Sequence, residues 1–193
     1  MVDVRGAATS KGRESMTRGN KRYNTNYKKR VNVERDTYLP RWSPKGILNC
    51  RGCGAVYYRR RWTLTPPPEV RDLVESREEV SNTRCPACRK IRDHYPSGEL
   101  RLLGATPKEK REMLLMLRNE EERAREKNPL ERIMRILADG TEWKIETTTE
   151  KLAQRLGRCL EKAFGGSVTY KWGHNNKFVR VIWQGATVKK KVA

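Results

Sequence analysis

Two Cys-x-x-Cys pairs, Cys50-Arg51-Gly52-Cys53 and Cys85-Pro86-Ala87-Cys88, stand 31 residues apart and limit the fold of this chain more than any other feature. Each pair can offer two thiolates from one tight turn, and two such turns complete a tetrahedron around one metal ion. Gly52 and Gly54 are expected to let the first turn take positive φ, and Pro86 to stiffen the second. The expectation is one structural Zn2+ held by Cys50, Cys53, Cys85 and Cys88. A four-thiolate site leaves no open position for water, so such an ion holds structure and performs no chemistry. A thioredoxin-like site would need one pair beside a βαβ pattern, and nothing here alternates that way. Two disulfides would suit a secreted chain, but no apolar signal-like segment is found, which points to a reducing cytoplasm. Arg51, Arg84, Arg89 and Lys90 flank the cysteines, where they are expected to offset the negative charge of a zinc tetrathiolate.

The charge balance then narrows the partner. Lys and Arg number 43 against 23 Asp and Glu, a formal net charge of +20. Self-repulsion at this charge gives a monomer no structural benefit, so a polyanion is expected to bind. No long apolar run or aromatic-rich basic amphipathic helix offers itself to a membrane, which leaves nucleic acid. Residues 1–45 form a basic extended arm with few aliphatics, in which Arg22-Tyr23 and Tyr27-Lys28-Lys29-Arg30 interleave cations with tyrosines. Such a segment cannot offset its ordering entropy in water; it is either a solvated tail or an arm that folds along phosphates with rings stacked on bases.

The remainder reads as α+β. Residues 46–104 make the zinc module. In it, Ala55–Tyr58 and Arg61–Leu64 form a hairpin through Arg59-Arg60, a helix follows Pro66-Pro67-Pro68 from about Glu69 to Val80, and Glu99–Leu103 is a strand. Thr106-Pro107-Lys108-Glu109 is a capping box that opens a helix ending at Asn128-Pro129. Its apolar residues cluster at Met113–Leu117, so residues 105–128 read as one docked turn and an exposed connecting rod, with Glu120–Lys127 a solvated face. Residues 129–185 read as a small ββαββ domain with an antiparallel sheet. Asp139-Gly140 turns its first hairpin, Thr147 caps its helix with Glu150 at N3, and Gly165-Gly166 ends that helix. Residues 186–193 are a basic tail with Lys189, Lys190 and Lys191. Cys159 falls on the helix's apolar stripe as a small core residue.

No catalytic constellation is found. His94 and His174 have no nucleophile or carboxylate at a suitable spacing, and neither Gly165-Gly166 nor Gly52-Gly54 has the context of a phosphate-binding loop. The expectation is a protein without enzymatic activity or small-molecule substrate.

Cys50–Tyr57 with Arg61-Trp62, then Cys85–Asp93, then Thr147–Ala153 and Val179–Trp183 resemble a family of short zinc-ribbon proteins. These are similar to the amino-terminal part of the eukaryotic and archaeal adaptor that exports the large ribosomal subunit. The resemblance covers about residues 45–185. It implies binding to the large subunit, through ribosomal RNA and ribosomal proteins, with the four cysteines as zinc ligands. The chain lacks the adaptor's barrel domains and leucine-rich export signal, which directs the expectation to assembly, hibernation or surveillance of ribosomes. The residues assigned to RNA are Arg22, Tyr23, Lys28, Lys29, Arg30, Arg59, Arg60, Arg61, Trp62, Arg89, Lys90 and Lys189–Lys191. A zinc-ribbon transcription regulator and an intrinsic ribosomal protein are the alternatives. The first usually offers a base-reading helix, and both long helices here lack an Arg/Asn/Gln face suited to a groove.

Overall fold

The computed structural model describes residues 36–39, 44–77, 79–139, 142–173 and 178–185. The described residues belong to one unit by contact, which holds two separate sheets. The first sheet is built from β1 (Ile47–Cys50), β2 (Val56–Tyr58), β3 (Arg61–Thr63) and β4 (Val80–Thr83), in the order β3-β2-β1-β4. β1 and β2 are antiparallel across the first cysteine turn, and β4 runs parallel to β1. α1 (Pro68–Ser76) is shorter than the sequence suggests. Arg77 leaves it in the left-handed conformation at φ 60°, and Val80 enters β4 instead of closing the helix. α2 (Pro86–Arg92), which the sequence does not announce, starts inside the second cysteine pair.

The second sheet comprises β5 (Gly98–Leu103), β6 (Ile133–Asp139), β7 (Glu142–Thr147), β8 (Ser167–Trp172) and β9 (Val179–Gln184), in the order β6-β7-β5-β9-β8. The expectation of an antiparallel ββαββ domain is corrected here. β5 belongs to this sheet and not to the metal module: it lies at the centre, antiparallel to β7 and parallel to β9. Its alternation explains the placement, because Leu100 and Leu102 are fully buried while Glu99 and Arg101 take the other face.

Two helices cover one face. α4 (Glu150–Phe164) buries Leu152, Ala153, Leu156, Gly157 and Leu160 against β5 and β9; Cys159 is half-buried. Its cap is Thr149, whose hydroxyl accepts from the Leu152 N–H, so the cap sits two residues after the expected Thr147 and, with Leu152 at N3, the expected reciprocal box with Glu150 does not form. Gly165, at φ 68°, ends the helix. α3 (Pro107–Lys127) opens with the expected Thr106–Glu109 capping box and closes at Asn128. It is no exposed rod. Met113, Leu117 and Ala124 are fully buried in the core, which spans about three turns of the helix. Only part of the Glu120–Lys127 run is a solvated face: Glu122, Arg123, Glu126 and Lys127 are exposed, but Glu121 is buried and accepts from the Ile133 N–H at 2.8 Å, and Glu120 binds Arg155. None of the described helices is long and apolar enough to cross a membrane.

The opposite face carries a charge lattice. Glu99 and Glu146 sit directly across from each other on β5 and β7, both buried, an arrangement that repels unless cations intervene. Lys144 binds both carboxylates, Arg101 and Arg180 bind Glu99, and Arg135 binds Glu146. Burial raises the pKa of each glutamate, but the cations outweigh it and hold both below the usual carboxylate range. A group depressed on folding contributes stability above its unfolded pKa and loses it as pH falls through the folded value. Lys144→Gln should therefore leave two facing carboxylates less compensated and move the acid-unfolding midpoint to higher pH. Circular dichroism against pH measures it, and an unmoved midpoint would show that Arg101, Arg135 and Arg180 suffice.

Candidate metal centre

The first cysteine turn is held by backbone bonds from Cys50 N–H to the Ala55 carbonyl and from Gly54 N–H to the Cys50 carbonyl, both 2.9 Å. Gly54 takes φ 71° as expected, but Gly52 is not at positive φ. Gly52 is needed for a different reason. A Cβ there would lie 2.9 Å from Cys88 Sγ, so only glycine lets the second cysteine turn come this close. That second turn is the start of α2, where Cys85 is the cap and Pro86 occupies the first turn.

The four cysteine sulfurs lie within 4.8 Å of one another. Cys53 Sγ and Cys85 Sγ are 3.7 Å apart, against about 3.8 Å for two tetrahedral ligands with metal–sulfur bonds of about 2.3 Å. Cys50 and Cys85 are buried. Backbone donors already point at the cluster: the Cys85 N–H reaches Cys50 Sγ at 3.2 Å and the Cys88 N–H reaches Cys85 Sγ at 3.4 Å. These bonds stabilise thiolate charge. Without a cation the four thiols cannot ionise together. The hydrogen bond with Cys85 holds Cys53 well below the usual thiol range. The same bond, then burial, drives Cys85 up, and burial followed by the charge on Cys53 pushes Cys88 up to about 11. The shifts of Cys53, Cys85 and Cys88 thus oppose one another, and a bound dication, with proton release, would make neighbouring thiolates compatible. The site can hold a metal ion through Cys50, Cys53, Cys85 and Cys88.

The cations expected beside the sulfurs are placed otherwise. Arg132, just ahead of β6, donates from Nη1 to Cys88 Sγ at 3.3 Å, a contact across 44 positions that no local pattern signals. Lys90 is buried, with Nζ 2.8 Å from both Asp36 and Ser97 Oγ and 3.4 Å from the Thr148 carbonyl. It ties residues 36–39, α2 and the end of β7 together, which corrects its assignment to RNA. Arg89 stacks over the Tyr38 ring at 5.3 Å, and Tyr38 in turn meets Tyr95.

The other residues assigned to RNA divide in two. Arg22, Tyr23, Lys28, Lys29, Arg30, Lys189, Lys190 and Lys191 lie outside the described residues. Arg59, Arg60 and Arg61 are exposed at the β2–β3 hairpin, as expected. Trp62 is half-buried against Tyr57 and the cysteine cluster, so most of its role is packing. Arg59 and Arg60 stand at φ 45° and 65°, the two left-handed positions of a tight hairpin turn that Asn-Gly normally fills. Arginine there costs about 1–3 kcal/mol per position. Arg59→Asn with Arg60→Gly should therefore raise thermal stability while removing two exposed cations. A lower melting temperature would show that these side chains hold the turn through contacts of their own.

His94 is exposed at φ 51° and has no cysteine or carboxylate partner among the described residues; His174 lies outside them. Compared with known proteins, the chain matches no family model, and no curated protein or solved structure is significantly similar to it.

Proposed function

We propose that this chain is a ribosome-associated, RNA-binding zinc protein of the large ribosomal subunit, acting in assembly, hibernation or surveillance and without enzymatic activity. One observation carries the reading: a closed four-cysteine site, buried at Cys50 and Cys85 and supplied with N–H donors, in a chain of net charge +20. A site whose four positions are all filled by sulfur organises a fold, and the cationic excess around it suits a polyanion. Zn2+ is the ion the thiolate set and tetrahedral spacing favour. When bound, it would supply charge balance for four thiolates and a cross-link between the two turns. The protein's own part is to present exposed arginines, such as Arg59–Arg61, on a rigid frame. Such contacts are individually weak, and joining them on one body raises the effective concentration of each.

Gradient sedimentation of cell extract at low salt tests this. The protein is expected with the large subunit or the assembled ribosome. With ~6–10 phosphate contacts, its affinity should fall about 10³–10⁵-fold between ~50 and ~200 mM salt. A protein that stays at the top of the gradient in growing and starved cells alike would overturn the ribosomal assignment.

A further inference from the structure

Three elements of the metal module converge on one groove. Arg51 follows β1, and its N–H extends the parallel pairing to the Thr83 carbonyl at 2.9 Å. Arg84 follows β4, so both arginines leave the same end of the parallel pair. α2 adds Arg89 and Arg92, three positions apart on one face. With Asn82 and Thr83 these four arginines line a hollow of about 520 Å³. A second hollow of about 250 Å³ shares Arg51 and Asn82 and adds Arg77.

Among the described residues, no carboxylate lines either hollow. Among the described residues, Arg51, Arg77 and Arg84 have no ion-pair partner, and only Arg92 is partly neutralised, by Asp93 outside the lining. On the five-stranded sheet the fold does pair its arginines: Arg101, Arg135 and Arg180 each bind a glutamate, as does Arg155 of α4. The plain alternative is that the groove arginines serve the sulfur charge. The sulfur that accepts a guanidinium, however, accepts it from Arg132. Like charges gathered without a counter-ion are unfavourable alone and favourable around an anion that guanidinium forks can grip in pairs.

We propose that this groove seats the phosphodiester backbone of RNA, an inference that rests on the RNA-binding reading above. Arg51, Arg84 and Arg92 would neutralise successive phosphates, and Asn82 and Thr83 would add uncharged hydrogen bonds to phosphate or 2′-hydroxyl oxygens. Arg89 is kept partly for the fold by its stacking on Tyr38.

The test uses full-length, metal-loaded protein and a labelled oligouridylate about 20 nucleotides long, titrated from ~50 to ~200 mM salt. The combined variant Arg51→Gln, Arg84→Gln, Arg92→Gln is compared with Lys151→Gln, Arg158→Gln, Lys162→Gln, which removes the same charge from exposed positions of α4. Three lost contacts lower the slope of log affinity against log salt by about 2, so the fourfold salt rise weakens the groove variant about 20-fold less than wild type. The α4 variant keeps the wild-type slope. The single variant Arg84→Gln, expected to lower the slope by about 0.7, serves if the triple variant loses its metal or its circular dichroism. Equal slopes for groove and α4 variants overturn the groove and leave RNA binding standing. Failure of wild type to bind the oligouridylate overturns both. Displacement of the RNA by duplex DNA at lower concentration than by unlabelled RNA overturns both in favour of DNA.

Discussion

Removing the metal, or changing Cys85 to serine, should unfold residues 47–92 and leave the five-stranded sheet standing. The small cluster around the sulfurs consists of Cys50, Ala55, Cys85 and Ala87, with Trp62, Leu64 and Leu130 partly buried against it. Two of these four buried residues are candidate metal ligands, so the apolar surface around the sulfurs is small for ordering two turns, four short strands and two helices. Structural zinc contributes about 10–16 kcal/mol of apparent binding free energy to such modules, more than a small domain's whole stability. Cys85 also anchors the network twice, since its N–H binds Cys50 Sγ and its sulfur caps α2. Hydrogen exchange with and without a strong chelator measures the effect. Amides of β1, β2 and β4 should lose protection while those of β5, β7 and β9 keep most of theirs. Unchanged protection in a sample shown to be metal-free would mean that the fold does not depend on the ion. Gly52→Ala should act in the same direction but more weakly, because its Cβ displaces Cys88 Sγ without removing a ligand.

Trp183→Ala should cost about 3–5 kcal/mol, the loss expected for a large aromatic truncated in a packed core. Trp183 is 2% exposed, lies in the central cluster with Leu100, Leu156 and Val181, and donates from Nε1 to the Gly165 carbonyl at 2.9 Å. That bond pins the end of α4 to β9, where the chain has no room to adjust. Gly166 stands at φ 82°, and a Cβ there would come 2.2 Å from the Gln184 carbonyl oxygen. For a chain of this size each kcal/mol is worth about 2–4 °C, so a melting temperature lower by about 6–20 °C is expected. Trp183→Phe keeps most of the ring volume and loses only the hydrogen bond, so it should cost far less. Similar losses in both variants would place the energy in the Gly165 bond and not in packing.

The sequence by itself determined what is encoded within a few residues. Both cysteine pairs, the Arg59-Arg60 hairpin, the Thr106–Glu109 box and the glycine end of α4 stand where local chemistry puts them. Each depends on backbone geometry or side-chain reach over two to four positions, which a single sequence carries in full. What the tertiary structure alone decided lies at long range. β5 alternates as a strand should, but nothing local says that its partners are β7 and β9, more than forty and eighty positions away. The apolar stripe of α3 is diluted by charge, so its burial depends on α4 and the sheet being present to receive Met113, Leu117 and Ala124. The same limit governs the cations. Arg89 and Lys90 follow Cys88 in sequence and looked alike, yet a helix points neighbours about 100° apart: both reach the Tyr38 ring, but Lys90 is buried on Asp36 and Ser97 while Arg89 stays half-buried. Arg132 reaches Cys88 only because β6 is laid against β7 and carries its preceding residue to the metal module. Local chemistry wrote the ligands; packing chose which charges meet them and which are left facing water.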